Sequence, residues 1–264
     1  TLSSSSAASD VYKRQQPYNR HLLQAVLDRN IQLIDYEVLT NPRGNRIIGF
    51  GRYAGIVGCY NGFLAYGKKH GLYDLKPANL CEDRVELEQE LKKITLPAGT
   101  KIVATGFGRV GNGAREILSS IGLKEVSPEA FLTDKFDEAV FTHLRVQNYF
   151  AKADGTEFDK SAFFESGEGH ISTFPRFMEV ANMYIACHYW DASSPFIFTR
   201  EDLKAENMNL SVVSDISCDI DGPVASTIRP STIANPLYGY DPISESEVDF
   251  CLLYTSDAAD EEDS

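Results

Sequence analysis

Four glycines fall within eight residues in the run Gly106-Phe-Gly-Arg-Val-Gly-Asn-Gly113. The chemistry such a run can do is anion binding. A helix N-terminus offers unpaired N–H groups and the positive end of the helix dipole, and a side chain in the turn would hold a phosphate away from them. In a G-x-G-x-x-G turn the first glycine, Gly106, makes the tight bend. The second, Gly108, lets a pyrophosphate approach the backbone, and the third, Gly111, lets the helix pack on the strand. A second concentration of polar groups is Asp215-Ile-Ser-Cys-Asp219, where two carboxylates and a hydroxyl suit ribose, nicotinamide or an amino-acid substrate. An acid about 20 positions beyond the first glycine would hold a ribose hydroxyl. Glu125 and Glu129 are the candidates, both more readily read as solvated, and Lys124 could instead meet a 2′-phosphate. This leaves NAD and NADP both open. Cys218 reads as a small residue rather than a nucleophile, for want of a basic partner. His188 reads as a core histidine and Trp190 as packing or a pocket wall.

The elements around the turn give it meaning, because a bare glycine pattern is a weak signal without a strand before it and a helix after it. Lys101–Thr105 (KIVAT) is predicted as a strand and Ala114–Ile121 as a helix stopped by Gly122. Upstream, Pro17–Asn30 reads as a helix, Ile31–Leu39 as a strand, Asn41–Asn45 as a turn and Arg46–Gly51 as the returning strand. Arg52–Gly71 reads as a helix in which Gly55, Gly58 and Gly62 share one face for close packing. Glu82–Lys93 reads as a charged amphipathic helix. Pro97–Thr100 is a break, and a domain boundary is placed near it. Downstream, Phe136–Tyr149 shows no clear period. Phe158–Phe164 and Phe177–Met183 read as helices, and Tyr184–His188 and Leu210–Ile216 as buried strands. Strands alternating with helices imply an α/β fold with a parallel sheet. In open sheets of that kind ligands bind beyond the carboxyl ends of the strands, where both polar groups lie.

The bulk numbers set limits. A chain of 264 residues, 43% hydrophobic and 24% charged, suggests about two domains. No apolar run reaches the ~20 residues of a membrane-spanning helix. A formal charge of −13 argues against a nucleic-acid partner. The five cysteines show no C-x-x-C spacing, so neither a metal site nor a redox pair is expected, and a reducing cytoplasm is the simplest setting.

Both ends look foreign. Ser5–Gln15 (SSAASDVYKRQ) matches the translation of a common transposon-based sequencing adapter, and Cys251–Glu261 (CLLYTSDAADE) matches the same adapter in the opposite orientation. Residues 1–15 and 251–264 are therefore expected to be adapter-derived and to pack poorly. Residues 16–98 would be the C-terminal part of a first, substrate-side domain with linking helices. Residues 99–250 would be an incomplete cofactor-binding domain.

The segments QPYN, LIDYEVL, GNRIIGFGRYAGIVG, TGFGRVGNGA, ACHYWD and SDISCDIDGPVASTIRPSTIANPLYGYDP occur in this order. Together they resemble the lysine-forming saccharopine dehydrogenase and lysine–ketoglutarate reductase family, within the alanine dehydrogenase and transhydrogenase superfamily. The resemblance covers nearly all of Gln16 to Asp241. It implies two Rossmann-like domains, the first incomplete here, and interconversion of saccharopine with lysine and 2-oxoglutarate using NAD or NADP. It places Gln16, Arg46 and Phe50 on the substrate side, where a fixed cation such as Arg46 suits a dicarboxylate. It places Glu37 near the catalytic groups. It puts Gly108, Arg109, Tyr189 and Ile216 on cofactor positions, to which the glycine turn and the strand end add Gly106, Val110, Gly111 and Asp215, and it puts Ser217, Cys218 and Asp219 where cofactor and substrate meet. The family's acid–base lysine and histidine lie upstream of the position Gln16 matches. They are therefore expected to be missing, Lys13 being adapter-encoded, and the fragment is expected to be inactive. An alanine dehydrogenase-like enzyme of other substrate, or a non-catalytic NAD(P)-binding module, are the alternatives.

Overall fold

A computed structural model describes residues 20–32, 38–44, 46–233 and 235–250. The expectation that residues 1–15 and 251–264 pack poorly falls outside that set. The chain divides between Phe50 and Gly51 into two compact units.

In the first unit, helix α1 (Arg20–Asp28) falls within the predicted helix Pro17–Asn30, and none of its residues is buried. The turn after Asn41 forms as expected. The Gly44 amide donates to the Asn41 carbonyl over 2.9 Å, and the Asn41 side chain accepts from the Arg43 amide over 2.9 Å. The predicted returning strand, Arg46–Gly51, does not form. Pairing is limited to the bridge between Thr40 and Arg46, and Gly51 is already the first residue of a helix. The apolar run Ile47, Ile48 and Phe50 suggested a strand, yet all three are exposed. An apolar run alone does not make a strand, since a strand also needs a neighbour to pair with along its length.

The second unit opens with α2 (Gly51–His70) and α3 (Arg84–Leu91), which is capped by Asp83 accepting from the Glu86 amide. Then come β1 (Lys101–Thr105), α4 (Arg109–Ser120), β2 (Lys124–Glu125), α5 (Pro128–Thr133) and β3 (Val140–Leu144). After α6 (Val146–Tyr149), β4 (Phe150–Lys152), α7 (Lys160–Glu165), β5 (His170–Ser172) and α8 (Pro175–Met178), the chain forms β6 (Met183–Ala186) and β7 (Val212–Asp215). It ends in a hairpin of β8 (Gly239–Asp241) and β9 (Ser246–Val248).

Five strands make one sheet in the order β2-β3-β1-β6-β7, every pair parallel. This is a Rossmann-like α/β sheet, as expected. β1 is central. The chain leaves it for β2 at one edge, returns to β3 beside it, and then crosses to β6 on its other side. The direction of winding therefore changes around β1, and a crevice opens at the carboxyl ends of such strands.

Alternation along the strands splits the core into two layers. Ile102, Ala104, Met183, Ile185 and Val212 face α2, α3 and α4. Val103, Tyr184 and Ala186 face Phe131, Phe174, Phe177, Phe198 and Val224. Helix α2 has buried residues around most of its circumference, so it shows no amphipathic stripe. Its glycines work as close-packing positions. A Cβ on Gly55 would lie 1.9 Å from the Val110 carbonyl oxygen, one on Gly58 2.5 Å from Ile216, and one on Gly62 2.4 Å from Met183. Gly113 meets α2 from the other side, 2.0 Å from the Arg52 carbonyl oxygen. The predicted helix Phe177–Met183 is a correction. The helix is Pro175–Met178, and Met183 opens β6. The Asn182 side chain between them accepts from the Lys101 amide over 2.8 Å, tying the start of β6 to the start of β1.

Candidate functional site

The glycine run links β1 to α4 as the sequence predicts, but the helix begins at Arg109 rather than Ala114, so Gly111 and Gly113 lie inside it; each glycine has its own reason. Gly106 has φ +87°, a conformation that strains a side-chain-bearing residue. A Cβ there would also sit 2.2 Å from the Cys187 carbonyl oxygen, so the loop after β6 presses on the turn after β1. A Cβ on Gly111 would lie 1.8 Å from the Gly106 carbonyl oxygen, so the first turn of α4 rests on the bend itself. At Gly108 an added Cβ would meet nothing within 4 Å. Gly108 is the N-cap of α4 and supplies no side-chain cap. The first turn of α4 thus carries no side-chain cap, beside an open face.

Sequence reasoning missed His143, which lies in β3. Its Nε2 is 2.6 Å from the Gly106 carbonyl oxygen. A carbonyl can only accept, so Nε2 carries the hydrogen. Burial pushes the imidazole pKa down, with the Gly106 hydrogen bond opposing, which keeps the ring neutral. The ring stacks on Phe107 at 3.9 Å and 17°. The guanidinium of Arg145, the residue after β3, lies 4.4 Å from the centre of the Phe107 ring. A histidine inside the segment 136–149 carried no readable period, so no sequence signal flagged it.

The acid expected some 20 residues on belongs to the edge strand. Glu125 ends β2 and is taken by an ion pair with Arg115 of α4. Lys124 pairs with Glu138 at 3.4 Å. The strand beside β1 is β3, and Arg145 follows it directly.

On the other side of β1, Asp215 ends β7. One of its carboxylate oxygens accepts from the Ser217 amide (3.1 Å), the Ser217 hydroxyl (2.6 Å) and the Cys218 amide (3.1 Å). The other accepts from the Thr227 hydroxyl over 2.6 Å. Asp215 therefore fastens the loop that holds Ser217, Cys218 and Asp219. That loop is strained, with Cys218 at φ +52° and Asp221 at φ +50°. Cys218 is exposed. Partial desolvation, then the Asp215 and Asp219 carboxylates, push its thiol pKa up, which disfavours the nucleophilic thiolate. Desolvation and Asp215 likewise raise Asp219. Ile216 packs its side chain on Gly58, and its amide donates to the Ala186 carbonyl over 3.0 Å.

The loop after β6 carries His188, Tyr189 and Trp190. His188 is buried, and desolvation lowers its pKa to about 4, with Asp215 opposing. Tyr189 is 78% exposed. Trp190 donates to the carbonyls of Ser194 and Pro195, each over 3.2 Å, and meets Phe196 edge-on at 5.9 Å.

The carboxyl end of the sheet thus gathers Gly106, Gly108, Arg109, Val110, Gly111, Tyr189, Asp215, Ile216, Ser217, Cys218 and Asp219 in one unit. Arg46 and Phe50 lie in the other unit, both exposed. Gln16 and Glu37 lie outside the described residues.

No family model matches the chain. It is similar to the alpha-aminoadipic semialdehyde synthase of Arabidopsis thaliana, 25% identical over 273 residues that cover 89% of this chain and 26% of that protein. It is similar to the mitochondrial alpha-aminoadipic semialdehyde synthase of Rattus norvegicus, 27% identical over 272 residues, covering 86% of this chain and 29% of that protein. It is also similar to the NAD(+)-dependent, L-lysine-forming saccharopine dehydrogenase of Candida albicans, 25% identical over 211 residues, covering 72% of this chain and 47% of that enzyme. The chain spans between about a quarter and just under half of the length of these relatives.

Proposed function

We propose that this chain is the dinucleotide-binding part of an NAD(P)-dependent oxidoreductase that interconverts saccharopine with L-lysine and 2-oxoglutarate. The observation that carries the reading is the glycine turn. It has an open face at Gly108, no side-chain cap at the start of the helix behind it, and a place at the winding switch of a parallel sheet. The relatives support the substrate class. When bound, the nicotinamide group supplies hydride exchange with the carbon of a C–N linkage.

The chain's own residues hold and orient. Amides of Gly108 to Gly111 receive the pyrophosphate, and His143 locks the bend through the Gly106 carbonyl. Arg145, on its Phe107 platform, favours a 2′-phosphate, because an arginine beside this ribose position accommodates the extra charge of NADP. Tyr189 and the loop of Ile216 to Asp219 border the nicotinamide side, with Asp215 setting that loop. Arg46, with Phe50, Gln16 and Glu37, belongs to the substrate side, where its guanidinium matches a dicarboxylate. Residues 99–250 form the cofactor domain, with residues 16–98 as substrate-side and linking parts. A reducing compartment such as the cytoplasm suits the free thiols of Cys59, Cys81, Cys187 and Cys218. Among the described residues no helix is long and apolar enough to cross a membrane.

The test has two stages. NADH and NADPH are titrated against the chain by nucleotide fluorescence, with ADP-ribose and its 2′-phosphate as competitors. Cofactor oxidation is then followed in the complete gene product with lysine and 2-oxoglutarate. Saturable binding and substrate-dependent oxidation are expected. Failure to bind either nucleotide overturns the cofactor reading, and binding without oxidation by the complete product overturns the substrate reading.

A further inference from the structure

His188 is a buried histidine with an unpaired ring nitrogen that the site described so far does not use. It follows β6, and its backbone amide lies 2.8 Å from where a Cβ on Gly106 would be. Its imidazole is only slightly exposed, at 5% for the residue. Nδ1 lies 3.3 Å from the Thr105 hydroxyl and 3.3 Å from the Tyr184 hydroxyl. Those two hydroxyls are 2.8 Å apart. Thr105 ends β1 and Tyr184 lies in β6, so the small network bridges the two central strands at their carboxyl end. Tyr184 is itself fixed against Phe174 at 4.5 Å. Nε2, on the far side of the ring from both hydroxyls, is buried and has no hydrogen-bond partner among the described residues.

A buried polar atom left unpaired costs about 1–3 kcal/mol, and native structures rarely leave one without a use. We infer that His188 is a cofactor-positioning residue whose Nε2 hydrogen-bonds the carboxamide of the nicotinamide. The inference rests on the cofactor reading above. With the pyrophosphate on the glycine turn and the adenosine half on the β3 side, the nicotinamide half extends over β6 and β7, where His188 lies. A neutral imidazole nitrogen suits a neutral amide better than a phosphate. The carboxamide also offers both a donor and an acceptor, so it pairs with Nε2 in either tautomer. Thr105 and Tyr184 fix the ring from behind.

The test compares the wild-type chain with His188→Phe and His188→Gln. It uses NADH with ADP-ribose, or NADPH with 2′-phospho-ADP-ribose, whichever pair the wild type binds more tightly. ADP-ribose lacks the nicotinamide and reports the rest of the site. Circular dichroism checks the fold of each variant. In His188→Phe the dinucleotide is expected to bind about tenfold more weakly, as losing one such bond implies, while the nicotinamide-free probe binds as before. His188→Gln, which keeps a donor and an acceptor, should recover part of the loss and serves alone if the phenylalanine variant fails to fold. Equal effects on both ligands, or none on either, overturn the role of His188 and leave the cofactor reading standing. Failure of the wild type to bind either ligand removes the cofactor reading, and this inference with it.

Discussion

Gly108 and Gly111 are three residues apart in one turn, and alanine at each should give opposite results. At Gly108 an added methyl meets nothing within 4 Å, and the backbone there, φ −78° and ψ −167°, is ordinary extended geometry. The folded state should therefore accept alanine. Losing glycine's freedom in the unfolded chain stabilises by about 0.4–1 kcal/mol, and alanine's poorer N-cap preference costs a similar amount, so Tm should stay within about 2 °C of the wild type. The same methyl would occupy the face that the pyrophosphate must approach, so nucleotide affinity should fall at least tenfold. At Gly111 the methyl would lie 1.8 Å from the Gly106 carbonyl oxygen and 3.3 Å from His143 Nε2. Relief requires the helix to lift from the bend, an overpacking cost of about 1–3 kcal/mol. Thermal unfolding by circular dichroism and nucleotide titration, run on both variants, separate the two effects. If Gly108→Ala binds nucleotide normally, the open face is not where the phosphates lie, and the argument for the turn fails. If Gly111→Ala keeps the wild-type Tm, the claim that the helix rests on the bend fails.

Three further outcomes follow from named contacts. His143→Phe keeps the stacking shape but leaves the Gly106 carbonyl without its donor, so urea unfolding should show a loss of about 1–3 kcal/mol. An unchanged unfolding midpoint would refute the locking role. Burial holds the His188 pKa near 4, against an ordinary value of 6.5. Below pH 6.5 the unfolded chain takes up a proton that the folded chain refuses. Stability is then lost as pH falls from about 6.5 to 4, by up to roughly 3 kcal/mol. Urea midpoints against pH should fall more steeply for the wild type than for His188→Phe, and parallel curves would contradict the buried neutral state. Arg145→Ala should weaken NADPH binding about tenfold and leave NADH nearly unchanged, as measured by titration. Equal losses for both would place Arg145 away from the 2′-phosphate.

The sequence made β1 and the turn legible because a short apolar strand, four glycines and a periodic helix agree over twenty residues. It hid β3, because Val140–Leu144 buries Thr142 and His143 among its apolar residues and so breaks the apolar pattern. It misled at Ile47, Ile48 and Phe50, where apolar residues imitate a strand that has one bridge and no ladder. Counting forward for a ribose-binding acid reached Glu125, but spatial order in the sheet is not chain order. The residue beyond the strand beside β1 is Arg145, 39 positions past Gly106. Asp215 was singled out by its place at a strand end, and it does end β7. Its hydrogen bonds inside the loop could not be read from spacing, because Thr227 is brought to it only by the fold.

The chain contains one tryptophan, and it is Trp190, two residues past His188. Its indole is held by two carbonyls and an edge-on phenylalanine. Excited beyond the tyrosine absorption band, the protein therefore emits from one loop, that of Trp190. Reduced nicotinamide absorbs where indole emits, so a docked dihydropyridine ring would quench this fluorophore by resonance energy transfer. Occupancy of the nicotinamide half could thus be read without any label, separately from that of the adenosine half.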